Sequence, residues 1–214
     1  MSDPFLQGLD VSHYNGAIDW RQVAAAPSRP AFAYAKATEG CANTDPSFAA
    51  NRAGIRANNM LCGAYHMFHP DQPALEQARH FLAVVGEAGG DLAPMLDVET
   101  LGKGMTQAGY AQAVAAWLDA VGGQLQCEPL IYTSASFWNA SLGSFAAFAA
   151  HPLWIAEYTA RPAPVLPAGA ATYTLWQYSA SGRIAGIAGN VDLDRFNGGM
   201  AQLQALRLAS ARAA

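Results

Sequence analysis

Two acids separated by a single residue, Asp97 and Glu99, close the apolar run Met95-Leu96-Asp97-Val98-Glu99-Thr100. Side chains of a strand alternate between its two faces, so both carboxyls would project to the same side. Two strand steps of ~3.3 Å set their Cα atoms roughly 6.5–7 Å apart. Like charges that close push each other's pKa apart, and one acid keeps its proton while the other ionises. Cleavage of a glycosidic bond needs such a pair. An arbitrary Asp-x-Glu more often just solvates a strand end, so the weight falls on what else the chain brings near.

Other polar groups end apolar runs in the same way. Asp10 is followed by Val11-Ser12-His13-Tyr14-Asn15, Lys36 by Ala37-Thr38-Glu39-Gly40, and Tyr65 by His66. Tyr132 lies in Ile131-Tyr132-Thr133, and Trp154 precedes Glu157 and Tyr158. The last runs give Trp176-Gln177-Tyr178 and Asp192-Leu193-Asp194. Asp10, Asp97, Glu99 and Asp192 would sit at similar heights, with Tyr14, Tyr65, Tyr132, Trp154, Tyr158, Trp176 and Tyr178 around them. An acidic floor with aromatic walls suits sugar rings, whose C–H faces stack on aromatics while their hydroxyls bond to carboxylates. Some of these rings serve packing alone.

Eight apolar or aromatic runs read as strands: Phe5–Val11, Ala31–Ala37, Cys62–Phe68, Ala93–Val98, Pro129–Thr133, Leu153–Tyr158, Thr172–Tyr178 and Asn190–Asp194. Helical signals separate the first six. Asp19 with Gln22 resembles a capping box, Asp45-Pro46 opens a helix through Phe48, Arg52 and Ile55, and Ala74–Val85 is amphipathic. Thr106 starts a helix that Gly122-Gly123 would stop, and Ser144–Ala150 is a short helix. Pro162, Pro164 and Pro167 then exclude a helix from the next connection, and residues 179–189, with three glycines, read as a hairpin. Five strand–helix units followed by three strands predict an α/β fold, an irregular TIM-like barrel with an antiparallel pairing at its end. Chemistry in such barrels sits where strands end at the C-terminal face. Met200–Ala213 is a closing helix. Residues 1–214 read as a single domain, without an internal repeat.

Hydrophobic residues make up 52% of the 214, charged ones 13%, and the net charge is −4. Without Lys/Arg runs to neutralise phosphates, nucleic acid is not an expected partner, nor is an anionic membrane surface. No apolar window is long enough to span a bilayer, and Met1-Ser2-Asp3-Pro4 lacks the features of a secretory signal. Cys41, Cys62 and Cys127 show neither metal-ligand nor disulfide-framework spacing, so free thiols and synthesis in a reducing cytoplasm are expected. A monomer without cofactor or bound metal is the expected form.

Taken as an ordered set, these motifs carry a family resemblance. Asp10-Val11-Ser12-His13-Tyr14-Asn15-Gly16, Lys36-Ala37-Thr38-Glu39-Gly40, Gly63-Ala64-Tyr65-His66, Leu96-Asp97-Val98-Glu99, Trp154-Ile155-Ala156-Glu157-Tyr158, Trp176-Gln177-Tyr178 and Val191-Asp192 follow one another as in glycoside hydrolase family 25. The chain thus resembles the Chalaropsis-type lysozymes, which include many phage endolysins. The resemblance implies a (β/α)5(β)3 barrel that hydrolyses the β-1,4 bond between N-acetylmuramic acid and N-acetylglucosamine in a peptidoglycan glycan strand. It further implies Glu99 as general acid and Asp97 as its companion, either attacking or orienting the substrate's N-acetyl group. Asp10 and Asp192 match the family's two further acids. Substrate contacts are expected from Tyr14, Lys36, Glu39, Tyr65, Tyr132, Trp154, Tyr158, Trp176, Gln177 and Asp194. Two positions depart from the family's usual residues: Asp194 stands where Asn is common, and Glu157 where Gln is frequent. Both make the groove more acidic. Such a protein acts on the bacterial cell wall, reached by endolysin-like release or a dedicated secretion machine.

Three other readings use the same residues. A metal-dependent barrel deacetylase or hydrolase would draw on Asp10-x-x-His13 and His66-x-x-His69, although i and i+3 on a strand face opposite sides. A chitinase-like barrel would carry further acids upstream of the pair, where this chain has Ala93-Pro94-Met95-Leu96. A non-catalytic wall-binding module would keep the aromatics without needing the acid pair.

Overall fold

The computed structural model describes residues 5–86 and 91–209; Met1–Pro4 and the end of the expected closing helix, from residue 210, lie outside them. Strands β1 (Leu6–Val11), β2 (Phe32–Glu39), β4 (Leu61–Met67), β5 (Met95–Asp97), β6 (Leu130–Thr133), β7 (Leu153–Ala156), β8 (Leu175–Gly182) and β9 (Val191–Phe196) form the barrel. It closes through β1–β2, and the short β3 (Asn43–Thr44) folds back on the end of β2 outside it. Neighbours are parallel from β1 through β2 and on to β8, while β9 runs antiparallel to both β8 and β1. The barrel and its single reversed strand therefore match the expectation from the connection lengths: no helix fits between β7 and β8, and a hairpin joins β8 to β9.

Helices α1 (Trp20–Ala25), α2 (Phe48–Ala57), α3 (Ala74–Val85), α4 (Gln107–Leu125) and α5 (Ala135–Ser141) follow the first five parallel strands of the barrel. Asp19 caps α1 by accepting from the Arg21 and Gln22 amides, and Thr106 caps α4 by accepting from Gly109 N. Several expected boundaries move. α4 continues through Gly122-Gly123 to Leu125 and ends where Gln126 turns left-handed, at φ 53°. Ser47, not Asp45, precedes α2, and the Asp45 carboxylate instead accepts the Ser47 and His13 amides. Ser144–Ala150 holds a 3-10 turn at Phe145–Phe148, and the helix of that connection is α5, capped by Ser134 and anchored by the buried Trp138. Its composition, Ala-Ser-Phe-Trp-Asn-Ala-Ser, carries little helix propensity, so tertiary burial rather than local preference forms it.

The closing helix is short: α6 spans Met200–Ala205. Beyond it the chain straightens, Arg207 bridging Leu92 in antiparallel fashion and Leu206 O accepting from Ala93 N. The Ala93 amide is thus taken up by the tail, and β5 spans Met95–Asp97 instead of starting at Ala93. Leu203, Leu208, Leu92 and Ala93 pack beneath the barrel as a plug. A second apolar layer, including Leu9, Ala35, Ile131, Ile155 and Trp176, lies on the barrel's outside beneath the helices.

Asp91 fastens α2 to the approach of β5. Its two oxygens pair with Arg52 at 2.9 Å and Arg56 at 2.7 Å, and Arg52 also reaches Val85 O. Replacing Asp91 by Ala leaves the Arg52 side chain, 17% exposed, beside a carbonyl without its anion. The expected cost is ~2–4 kcal/mol, mostly from Arg52, since the half-exposed Arg56 is well solvated. A lowering of the thermal midpoint by ~5–15 °C in calorimetry checks this; an unchanged midpoint would contradict it.

Candidate active site

Alternate residues of every strand point into the barrel and stack there in layers. Leu6, Phe32, Leu175 and Phe196 belong to the apolar lower part. Above them Tyr34 and Trp154 meet edge to face, ring centroids 4.8 Å apart. Two strand glycines make room for these rings: a Cβ at Gly8 would come within 2.1 Å of the Phe32 ring, and one at Gly63 within 2.2 Å of Tyr34. The uppermost inward residues are polar. Asp10 (β1), Lys36 (β2), Tyr65 (β4), Asp97 (β5), Tyr132 (β6), Gln177 (β8) and Asp192 (β9) line one cleft at the C-terminal mouth of the parallel strands. Glu99, two residues past β5, joins them at the rim, together with Tyr14.

Register sets the acids side by side. Antiparallel pairing puts Asp10 directly opposite Asp192, and parallel pairing puts Asp97 beside Met67 and Tyr132. Val98, between the paired acids, is buried on the outer face and donates its amide to Tyr132 O, which keeps the strand alternation running to Glu99. After β1 the chain turns through a 3-10 segment, His13–Asn15, held by reciprocal bonds between Ser12 and Asn15. That turn presents Tyr14, 83% exposed, at the edge of the cleft.

A chain of hydrogen bonds crosses the floor. The Tyr132 and Tyr158 hydroxyls donate to Gln177 Oε1 at 2.9 and 2.7 Å, and Gln177 Nε2 donates to Asp10 Oδ2 at 2.7 Å. Lys36 Nζ donates to Glu39 Oε2 at 2.6 Å, and Glu39 also meets His69 Nε2 at 2.9 Å. Asp97 Oδ1 is buried and has no hydrogen-bond partner.

The clustered carboxyls cannot all ionise cheaply. Burial, reinforced by the Asp192 charge, pushes Asp10 up to about 8, and partial burial pushes Asp192 up to about 6. Asp97 is driven well above the usual carboxylate range by burial and then by Glu99. Glu99 is raised by desolvation against the cleft wall, with the Lys36 charge pulling the other way. At neutral pH the cleft therefore retains protons that isolated acids would have lost.

The structure brings together Asp10, Asp97, Glu99, Asp192, Tyr14, Lys36, Tyr65, Tyr132 and Gln177 in this cleft. Tyr158 reaches the same network through its hydroxyl, while its ring is largely exposed. Glu39 lies to one side, in an adjoining groove with His13 and Asn43. Trp154 and Asp194 are 0% exposed and lie under the floor, so neither touches a substrate in the cleft. Because β9 runs downward from the mouth, Asp194 is one layer deeper than Asp192. Trp176 belongs to the outer layer, since its neighbour Gln177 points inward; its indole donates to Glu157 O. Glu157 itself accepts from Val165 N in the helix-free connection. Four lining residues were not singled out by the sequence: Ser12, Asn15, Met67 and Met95. Period-2 spacing from Tyr65 and Asp97 marks the two methionines. Of the histidines, His66 is buried, bonded to Thr38 and Gln77 and held down to about 4 by burial. All three cysteines are free, and among the described residues no helix is long and apolar enough to cross a membrane.

An α/β barrel with an acid pair and two flanking acids at this mouth is the architecture of a glycoside hydrolase. Comparison with known proteins gives the family. Residues 9–187 match the model of Glycosyl hydrolases family 25. The chain is 37% identical over 211 residues to Lysozyme M1 of Streptomyces globisporus, spanning 94% of this chain and 71% of that protein. It is 32% identical over 187 residues to the N,O-diacetylmuramidase of Chalaropsis sp, spanning 81% and 88% respectively. Its fold superimposes on the bacterial lysozyme from Streptomyces coelicolor with a TM-score of 0.89 at 35% identity, covering 96% of this chain and 98% of that one. The chain belongs to glycoside hydrolase family 25, and its substrate is peptidoglycan.

Proposed function

We propose that the protein is an N-acetylmuramidase that cleaves the β-1,4 bond between N-acetylmuramic acid and N-acetylglucosamine with net retention. The observation that carries this reading is the Asp97–Glu99 pair, which lines one cleft at the barrel mouth together with Asp10 and Asp192. The N–H of an acetamido group on the sugar donates to the side of the Asp97 carboxyl that lines the cleft. That bond favours the ionised form of Asp97 and leaves the shared proton with Glu99 at the rim. Glu99 then protonates the departing sugar oxygen while the acetamido oxygen attacks the anomeric carbon, Asp97 holding the N–H and balancing the developing positive charge. Water activated by the Glu99 carboxylate opens the intermediate from the same face as the original bond, which gives retention. Asp192 supplies negative potential beside the oxocarbenium-like centre, and the exposed rings of Tyr14 and Tyr158 flank the sugars. One chain acting as a monomer completes this reading.

Digestion of purified peptidoglycan, followed by borohydride reduction and identification of the new reducing ends, tests it. N-acetylmuramic acid at those ends is the expected result. N-acetylglucosamine would make the protein a glucosaminidase instead, and free peptides an amidase.

A further inference from the structure

Asp194 is sealed under the cleft floor, with one satisfied oxygen and one orphan. Its Oδ1 accepts the Trp154 indole N–H at 3.1 Å, while its buried Oδ2 meets no N–H or O–H donor. On the paired strand its diagonal inward neighbour is another carboxyl, since Gly8 faces Asp194 and Asp10 faces Asp192, and the two acids act on each other at close range. Two carboxylates hold four acceptor oxygens and nothing to share, so such a buried contact is repulsive until one of them carries a hydrogen.

The surrounding bonds decide which one. Gln177 has its carbonyl oxygen occupied by the Tyr132 and Tyr158 hydroxyls, which turns its amide N–H towards Asp10 Oδ2. Every donor in that chain points at Asp10 and favours its charged form. Asp194 lies deeper, 0% exposed, and has one neutral donor. The other ionisable groups around the pair are mostly acids or phenols: Asp192 on the same strand, Asp97 and Glu99 across the cleft, Tyr65 beside it and Tyr34 below. Lys36, on the cleft wall, spends its charge on Glu39 and on the Asp97–Glu99 pair.

We propose that Asp194 is a neutral carboxylic acid in the working protein and donates a hydrogen bond to Asp10, holding that carboxyl in place and favouring its ionised form against the burial that opposes it. Asp194 is a positioning residue: it touches no substrate and acts through Asp10. Its effect on turnover rests on the muramidase reading above, but its protonation does not. An Asn side chain offers a neutral N–H donor of the same shape, whereas Ala offers none.

The test uses the purified full chain, its Asp194→Asn and its Asp194→Ala variants. Protons bound on folding are measured from the pH dependence of urea-unfolding free energy between about pH 6 and 8. An acid protonated only in the folded state makes stability fall as pH rises through this range, because the native chain binds more protons than the unfolded one. Asp194→Asn is expected to bind about one proton fewer on folding and so to show a shallower fall. Infrared spectra should show protonated-acid carbonyl absorption in the wild type that loses one carboxyl's intensity in Asp194→Asn. On peptidoglycan, Asp194→Ala is expected to lose tenfold or more in kcat with KM within about twofold, and Asp194→Asn to recover most of that loss. An unchanged proton count in Asp194→Asn, or an Asn variant as impaired as Ala, overturns the proposal. Should Ala fail to fold, the proton count and the infrared band of the Asn variant decide alone. Should none of the proteins release N-acetylmuramic acid ends, the muramidase reading fails while the proton count still stands.

Discussion

Replacing Glu99 by Gln is expected to lower kcat by about a thousandfold or more while leaving the thermal midpoint within a few degrees of the wild type. General acid catalysis contributes on the order of 10²–10⁴ in rate, and here the same residue serves a second time as base for water. Both steps vanish with a side chain that neither gives nor takes a proton. The fold has little reason to notice. Glu99 lies past the end of β5, is exposed at the rim, and keeps its shape as Gln. Loss of a carboxyl whose pKa is raised by desolvation removes a mild penalty, not a support. Release of reducing sugars from peptidoglycan, measured beside a thermal melt, checks both halves. Cell-wall lysis by a folded Glu99→Gln protein would remove Glu99 from its assigned role.

Asp97→Asn should give the second largest loss, about a hundredfold in kcat, or ~2.7 kcal/mol of transition-state stabilisation at 1.36 kcal/mol per decade. Asn is close in shape and neutral, so the buried site tolerates it. Stability at alkaline pH should match or exceed the wild type. The sign follows from the raised pKa of Asp97: the native state binds a proton that the unfolded chain releases, so the wild type loses stability as pH rises and Asn does not. What Asn cannot supply is the charge that balances an oxazolinium-like intermediate. De-N-acetylated glycan separates this role from direct attack by Asp97. If the acetamido group is the nucleophile, that glycan resists the wild-type enzyme; cleavage at the ordinary rate would instead give the attack to Asp97.

Much of this arrangement is legible in period-2 spacing and connection length. Asp10, Asp97 and Asp192 each end or begin a short apolar run, and five helical connections imply parallel strands whose ends share one mouth. Two readings fail for physical reasons the same rules contain. Trp176 and Gln177 are consecutive, so a strand cannot turn both inward; the glutamine goes to the cleft and the indole to the helices. Asp194 follows Asp192 in sequence, yet on the one reversed strand later means deeper. Other features carry no local signal. α5 is a poor helix former stabilised by the burial of Trp138, and the short α6 reflects the pull of Leu92 and Ala93 on the tail. Neither can be read without knowing what the segment will meet.

The reversed strand has a kinetic meaning as well. Half of the paired floor, Asp10, is made early in synthesis, and its neighbour Asp192 arrives on the last strand of the barrel. Contacts between such distant parts of a chain form late, because the intervening loop must first be closed. Until β9 is in place the chain therefore holds scattered acids without a working cleft, and lytic capacity begins when that strand zips between its two neighbours.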